Sequence, residues 1–236
     1  MPNAMQRVNP SDQAAGLRRR SARQAPACTY CFFDSAEWLA RLANALQQTG
    51  QSALLIDRRG RLFAGAPTRS LFDWEQQLAR GELHTQPLSA GEGWYAPGLR
   101  ADAPALREVA RAYDHLLFDE EPSGAELILM PEATQRFLIE VQDAQPSLLR
   151  AYTLLKTLSH AGSAGQVSLL GDPAACAQLH AAARHFLPQP FARTIDCAAD
   201  SDTAFSALAV RMPGEETRHL TRFELENHES MALKNG

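Results

Sequence analysis

The chain has 236 residues, 45% of them hydrophobic, which is enough apolar material for the core of one α/β domain. Its formal net charge of -4 excludes a general electrostatic attraction to nucleic acid or to anionic membranes. Four cysteines are too few for a disulfide framework in a chain of this size, and no apolar run reaches the ~18 residues of a membrane span. The composition therefore predicts a cytoplasmic protein.

Residues 1–25 are polar and rich in arginine, and this composition predicts an arm that lies outside the core. Asp12 is the only acidic residue of this arm, and Asn9 to Asp12 supplies N-cap residues for a helix of about two turns. Because so short a helix is marginally stable alone, we expect it to become ordered on a partner.

The next stretch, Ala27 to Asp57, predicts a strand, a helix and a second strand. Ala27 to Phe33 is apolar almost throughout, and Ser52 to Ile56 is a second apolar run that Asp57 closes. Gly50 is expected to end the helix between them. The apolar residues of this helix fall on one face: Trp38, Leu39, Leu42, Ala43 and Leu46.

The turn before this helix is where nucleotide-binding proteins of similar design have a phosphate loop rich in glycine and containing lysine. Here the turn, Phe33 to Glu37, contains neither residue type. Asp34 and Glu37, with Ser35 between them, resemble a capping box that would close the helix N-terminus with carboxylates. We interpret the stretch as a nucleotide-binding architecture that has lost its phosphate site.

The rest of the chain alternates between predicted helices and strands, which is typical of a doubly wound α/β fold with a mostly parallel sheet and helices on both faces. Two strands end in Asp57 and Asp119, where such a fold has its cleft. The predicted helices are Leu71 to Leu78, Ala103 to Tyr113, Pro146 to Leu158 (with Leu148, Leu149, Tyr152, Leu155 and Lys156), Pro173 to Leu187, and Asp202 to Val210. The predicted strands are Asp114 to Asp119, Arg136 to Val141, Gln166 to Leu170 and Phe191 to Ile195, with Gly93 to Ala96 near the sheet.

These elements predict a domain over residues 26–212, followed by a tail over 213–236 whose glutamates make it a poor binder of anionic lipid. Cys28 and Cys31 form a C-x-x-C, but a zinc site needs two further ligands at partner spacing. Two small residues in a buried strand are the favoured interpretation. We expect no metal and no cofactor.

Several segments match motifs of one protein family. The N-terminal D-Q-A-x-x-L-R motif of that family is matched by Asp12, Gln13, Ala14, Leu17 and Arg18. Three further segments are similar to its strands and one helix: Ser52 to Asp57, Tyr113 to Asp119 and Ala151 to Lys156. On these residues the chain resembles FlhG (FleN), the flagellar-number regulators of the MinD/ParA class of P-loop ATPases.

The departures from the family concern its nucleotide site. The deviant Walker A loop with two lysines is replaced by Cys31 to Glu37, and the family's D-A-D is Asp57-Arg58-Arg59. In place of the family's glycine-containing turn after the third strand, this chain has Asp119 to Pro122. The resemblance therefore implies degenerate nucleotide-site positions, which are Asp34, Ser35, Glu37, Asp57 and Asp119.

The resemblance implies a non-enzymatic regulator of flagellar placement and number, whose N-terminal helix stimulates an FlhF-type GTPase of the signal-recognition-particle class. Gln13 would approach the partner's nucleotide, with Asp12 and Arg18 fixing the helix. Flagellar switch proteins or a flagellar transcription factor are further partners of this kind, and a partner would recruit the protein to the cell pole or membrane. From the residues alone, Asp12 could instead simply cap a helix whose Leu17 packs on the domain.

Three other functions remain open from the sequence. Asp57, Asp119 and His115 could gather at the strand ends as acid and base, or around a metal. The chain could also be an active MinD-like ATPase with an atypical nucleotide site, or a pure protein-interaction subunit. The strand-terminal aspartates are otherwise expected to act as helix caps or as ion-pair partners of Arg58 and Arg59.

Overall fold

The computed structural model of the chain describes residues 27–62, 86–88, 91–95, 99–110, 113–123, 127–131, 133–162 and 165–212. A central sheet is covered by helices on both faces. Its strands are β1 (Ala27–Phe32), β2 (Ala53–Asp57), β3 (Gln86–Leu88), β4 (Gly91–Tyr95), β5 (His115–Asp119), β6 (Thr134–Val141), β7 (Gln166–Gly171) and β8 (Ile195–Ala199). The helices are α1 (Ala36–Gln48), α2 (Pro104–Ala110), α3 (Gln145–His160), α4 (Pro173–Phe186), α5 (Gln189–Ala192) and α6 (Asp202–Arg211).

The eight described strands follow the order β3-β4-β2-β5-β1-β6-β7-β8. Every neighbouring pair is parallel except β3 and β4, which are antiparallel. This confirms the predicted α/β class with a mostly parallel sheet. Asp57 and Asp119 are register partners on β2 and β5, so both aspartates lie at the carboxyl edge of the sheet.

Two apolar layers cover the sheet, and β1 contributes to both of them. On one face Tyr30 is stacked against Phe118 and Phe137, with ring centroids 5.0 and 5.5 Å apart, and α2, α3 and α4 pack on this layer. On the other face α1 and α6 enclose the second layer, where the Trp38 and Phe205 rings meet edge to face at 5.8 Å. Such alternation is expected of a central strand that is buried on both sides.

Helix α1 confirms the face and the end that its sequence predicts. Gly50 has a φ of 76° and donates to the carbonyl of Gln47 at 2.9 Å, while Gln51 donates to the carbonyl of Leu46 at 3.0 Å. These two bonds form a Schellman motif, which satisfies the last carbonyls of the helix.

One other prediction was wrong. Phe191 to Ile195 was expected to be a strand, but Phe191 lies in the short helix α5 and the strand β8 begins at Ile195. In α3, Leu155 is buried and Leu148 and Tyr152 pack against the core, whereas Leu149 is 67% exposed. The predicted helix from Leu71 to Leu78, the arm and the tail lie outside the described residues.

Candidate functional site

The candidate site lies at the carboxyl edge of the sheet, where three loops meet. They are the first loop (residues 33–35) between β1 and α1, the arginine turn (residues 58–62) after β2, and the acidic loop (residues 120–121) after β5. Ligands of open α/β sheets bind at this edge. The contacts among the three loops therefore decide what the edge can bind.

The first loop gives its backbone donors to a carboxylate from β6. Glu140 is 6% exposed, and its Oε2 accepts hydrogen bonds from the amides of Asp34 and Ser35 at 2.7 and 3.2 Å. Its Oε1 accepts from the side-chain amide of Gln142 at 2.8 Å. An anionic acceptor at the start of a helix is favourable, because the free amides and the helix dipole both attract negative charge. These donors are thus already paired within the chain.

Ser35 is the N-cap of α1, and this corrects the predicted capping box of Asp34 and Glu37. The Ser35 Oγ accepts from the amide of Glu37 at 3.3 Å. Asp34 lies one residue too early to cap, and its carboxylate pairs with Arg150 of α3 instead. Helix α3 is thereby tied to the first loop.

The arginine turn sends Arg61 across the edge of the sheet. Its guanidinium donates to both carboxylate oxygens of Asp119 at 2.6 and 2.7 Å, and to the carbonyls of Phe33 and Asp34 at 2.9 and 2.6 Å. Arg59 donates to the same Phe33 carbonyl at 2.8 Å. Guanidinium groups of the turn thus satisfy the carbonyls of the first loop, while Glu140 satisfies its amides.

Asp57 fixes the turn that places Arg61. It is fully buried and accepts from the amides of Gly60, Arg61 and Leu62 at 2.8, 3.2 and 2.9 Å. This aspartate therefore caps a turn, which differs from the helix cap that was expected of it.

Asp119 forms an ion pair, but its close partner is Arg61 and not Arg58 or Arg59, the partners that were expected. Its contact with Arg59 is 3.9 Å long. Arg58 instead pairs with Glu120 at 2.6 Å.

Burial sets the protonation behaviour of the two buried acids. It raises the pKa of Asp119, and the guanidinium of Arg61 opposes this rise. It likewise raises the pKa of Glu120, with Arg58 in opposition. Although burial disfavours the charge on Arg61, its hydrogen bonds to Asp119 raise the pKa of that guanidinium.

Carboxylates outnumber guanidinium groups in this cluster by formal charge. The carboxylates are Asp34, Asp57, Asp119, Glu120, Glu121 and Glu140, and the guanidinium groups are Arg58, Arg59, Arg61 and Arg150. A phosphate group brought to this edge would therefore meet a local excess of negative charge.

His115 does not join the two aspartates. It begins β5, whereas Asp119 ends that strand, so the histidine lies at the opposite edge of the sheet. Its Nε2 pairs with the Gln51 side chain, and it lines a cavity of about 310 Å³ there together with Arg136. The acid, base or metal constellation of these three residues, which the sequence left open as an alternative, is therefore not formed.

Cys28 and Cys31 point to opposite faces of β1, each into a different apolar layer. Burial raises the pKa of the Cys28 thiol to about 12 and that of Cys31 well above its ordinary value. The pair therefore cannot bind one metal ion. Within the described ranges no three His, Cys, Asp or Glu side chains are grouped to hold a metal.

Sequence reasoning missed the roles of Glu140, Arg61 and Arg150. Glu140 is the one charged residue in the apolar run from Phe137 to Val141, and a lone acid near the end of a buried strand is the signal that could have indicated it. The matched motif residues Asp12, Gln13, Ala14, Leu17 and Arg18 lie outside the described residues.

The fold is similar to that of a solved ATPase structure. The structure superposes on a ParA family ATPase from Chlorobium tepidum TLS with a TM-score of 0.52 and 16% sequence identity, over 79% of this chain and 92% of that one. A chain of the MinC:MinD cell division protein complex from Aquifex aeolicus aligns with a TM-score of 0.42 and 18% identity, over 62% of this chain and 69% of its own.

No protein-family model and no curated protein sequence matches the chain. In the part of the chain that the structure describes, no helix has the length and apolar character needed to cross a bilayer. The similarity to the ParA family ATPase shows that the two chains share an α/β fold.

Proposed function

We propose that this chain is a pseudo-ATPase: a non-enzymatic regulator of flagellar placement and number that binds an FlhF-type GTPase and stimulates it through its N-terminal helix. The fold class and the resemblance of the N-terminal motif support the partner. The loss of nucleotide chemistry is supported by the carboxyl edge of the sheet, and above all by Glu140.

The Glu140 carboxylate supports this proposal because it accepts the amides with which a phosphate loop would bind its ligand. A nucleotide would have to displace a buried charge from two hydrogen bonds before making its own. Breaking these charge-assisted contacts leaves one oxygen of a buried carboxylate without its donors, which is costly.

The cations near the first loop give a second line of support. The only two lysines of the chain are Lys156 and Lys234, and Lys156 lies exposed in the fourth turn of α3. Arg61 is engaged by Asp119 and by two loop carbonyls. The first loop therefore contains no lysine, and Arg61 of the arginine turn is already paired, so neither provides a cation that could bind a phosphate.

Isothermal titration of the full chain with Mg-ATP tests the loss of nucleotide binding. We expect no saturable heat, and we expect no phosphate release in a hydrolysis assay. A ParA family ATPase serves as the positive control. A dissociation constant of tens of micromolar or tighter, about -6 kcal/mol or better, would instead support an active ATPase with an atypical site.

GTP turnover by an FlhF-type GTPase tests the partner. The full chain is compared with its Gln13→Ala and Gln24→Ala variants, where Gln24 lies in the same arm but outside the motif. A glutamine that orients the attacking water contributes several kcal/mol in the transition state, so Gln13→Ala should lower the stimulation by orders of magnitude. Gln24→Ala should stimulate as the unmodified chain does.

The same assay distinguishes a regulator that stimulates the GTPase from a subunit that only binds it. Equal turnover with and without the chain would contradict GTPase stimulation. If the chain still bound the GTPase in that case, the result would support a pure protein-interaction subunit.

A further inference from the structure

Two cysteines lie together at the end of the described sheet, far from the first loop. Cys197 is exposed on β8, the last strand in the sheet order, and Cys176 is 1% exposed in α4. Helix α4 packs on β8. The Sγ of Cys197 lies 3.6 Å from the carbonyl oxygen of Cys176, to which the thiol donates.

We propose that Cys176 and Cys197 form a reversible disulfide, and that Cys197 is the sulfur that first reacts with a peroxide. This modification site is independent of the proposed function, because it shares no residue with the carboxyl edge of the sheet. A backbone contact of this length brings the two side chains of the cysteines within reach of one another.

The two thiols differ in a way that fixes their order of reaction. A hydrogen bond from the Cys176 thiol lowers the pKa of Cys197, although burial and the carboxylate of Asp196 oppose this. The same hydrogen bond, together with burial, raises the pKa of Cys176. Since the thiolate is the nucleophile, the exposed Cys197 attacks first and the buried Cys176 resolves the product.

The reaction proceeds in two balanced steps. The Cys197 thiolate attacks one oxygen of hydrogen peroxide, the O–O bond breaks, and a sulfenic acid and hydroxide form. The Cys176 sulfur gives its proton to hydroxide and attacks the sulfur of the sulfenic acid. The S–O bond then breaks, and its oxygen leaves as hydroxide and takes up a proton from water. The two thiols lose two electrons in total, and the peroxide is reduced to water.

The bond would cross-link the last strand of the sheet to the helix that covers it. It would close a loop that contains the rest of α4 and the whole of α5. Such a cross-link restricts the unfolded chain and should raise the melting temperature by several degrees. An external thiol can attack Cys197, because that sulfur is exposed, and this makes the bond reversible.

Intact-mass measurement of the full chain after peroxide treatment tests the proposal. We expect the mass to fall by two hydrogens, a protease digest to contain a peptide joined through Cys176 and Cys197, and dithiothreitol to reverse both changes. Cys28 and Cys31 are internal controls, because both are buried and should react with an alkylating reagent only after unfolding.

Two variants test the order of reaction. Cys176→Ser should stop at the sulfenic acid, so that dimedone labels Cys197, whereas Cys197→Ser should lose the reaction. If Cys176→Ser does not fold by circular dichroism, Cys176→Ala replaces it, since alanine leaves no buried hydroxyl. An unchanged mass after peroxide, a bond that joins two copies through Cys197, or dimedone labelling of Cys176 would each overturn the proposal.

Discussion

Glu140 is the residue on which the first loop depends, and its carboxylate can be neutralised with little change of shape. Glu140→Gln removes the charge that the amides of Asp34 and Ser35 share. Hydrogen bonds to a charged acceptor are stronger than neutral ones, so we expect the variant to lose about 1–3 kcal/mol of unfolding free energy. Urea denaturation monitored by circular dichroism measures the loss.

Glu121→Gln is the matched control for this experiment. Its side chain is 67% exposed and its contact with Arg59 is 3.4 Å, so the same chemical change should cost less than about 0.5 kcal/mol. If both variants lost the same unfolding free energy, the buried position of Glu140 would contribute nothing to stability.

The stability of the folded chain is expected to depend on pH through Glu120. Its folded-state pKa is raised above the ordinary value of 4.5, because burial outweighs the pairing with Arg58. Between the unfolded-state and folded-state pKa values the folded chain binds more protons, so this carboxyl makes stability fall as the pH rises through that window. Glu120→Gln has no proton to lose there.

We therefore expect the unfolding free energy of the unmodified chain, minus that of the Glu120→Gln variant, to decrease as the pH rises from 4.5. Urea denaturation at a series of pH values measures this difference. A difference that stays constant or grows with pH would contradict the raised pKa.

Gly171, at the end of β7, fixes the junction between that strand and α4. It has a φ of 134°, and a Cβ at this position would lie 2.1 Å from the carbonyl oxygen of Val141. The carbonyl belongs to the neighbouring strand and cannot move away without breaking the register. Gly171→Ala should therefore cost about 3 kcal/mol or more, or prevent folding.

The Gly50→Ala variant measures the cost of a left-handed backbone conformation without a steric clash of the added Cβ. Gly50 also has a positive φ, of 76°, but a Cβ there would meet nothing within 4 Å. Thermal denaturation should show a loss of about 1 kcal/mol, which is the cost of the left-handed conformation alone. If Gly171→Ala lost no more stability than Gly50→Ala, the close approach of its Cβ to Val141 would contribute nothing to the stability loss.

The elements with one clear apolar stripe were predictable, and those with two competing patterns were not. Helix α1 has one stripe, and its buried face and its end at Gly50 are both confirmed. Helix α3 has adjacent leucines at 148 and 149, so two overlapping stripes fit the start of this helix. Packing against β6 and α4 leaves Leu149 exposed, whereas Leu148 packs against the core.

Local turn chemistry explains the other errors. Phe191 and Ile195 have strand-forming side chains, but Pro188 and Pro190 start a short helix that buries Phe191 before the strand begins. At the start of α1, two residues in succession, Asp34 and Ser35, could cap the helix, and the contact of Asp34 with Arg150 favours Ser35.

At the scale of the whole molecule, the fold followed from the sequence because alternating strands and helices allow few arrangements. The positions of Asp57 and Asp119 followed as well, since the ends of parallel strands meet at one edge. The contact of Glu140 with Asp34 did not, because it joins residues 106 positions apart. Side-chain pairing across such a distance depends on the finished sheet.

The proposed function also predicts how the molecule associates. The resemblance to the MinD/ParA class implies a dimer that is held together by ATP across its interface. A first loop that is already paired with Glu140 and Arg61 offers ATP no such place. Light scattering should therefore give one mass with and without Mg-ATP, and a doubling in ATP would contradict the loss of the site.

Glu140 can also be considered as a tethered ligand. Its carboxylate is held beside the amides of the first loop by the sheet itself, so its effective concentration there does not change with the composition of the cell. A free anion binds and leaves as its concentration rises and falls, but a ligand built into the chain keeps the loop saturated. The loop therefore has a single occupancy state, and we expect its conformation to be the same in an energy-rich cell as in a starved one.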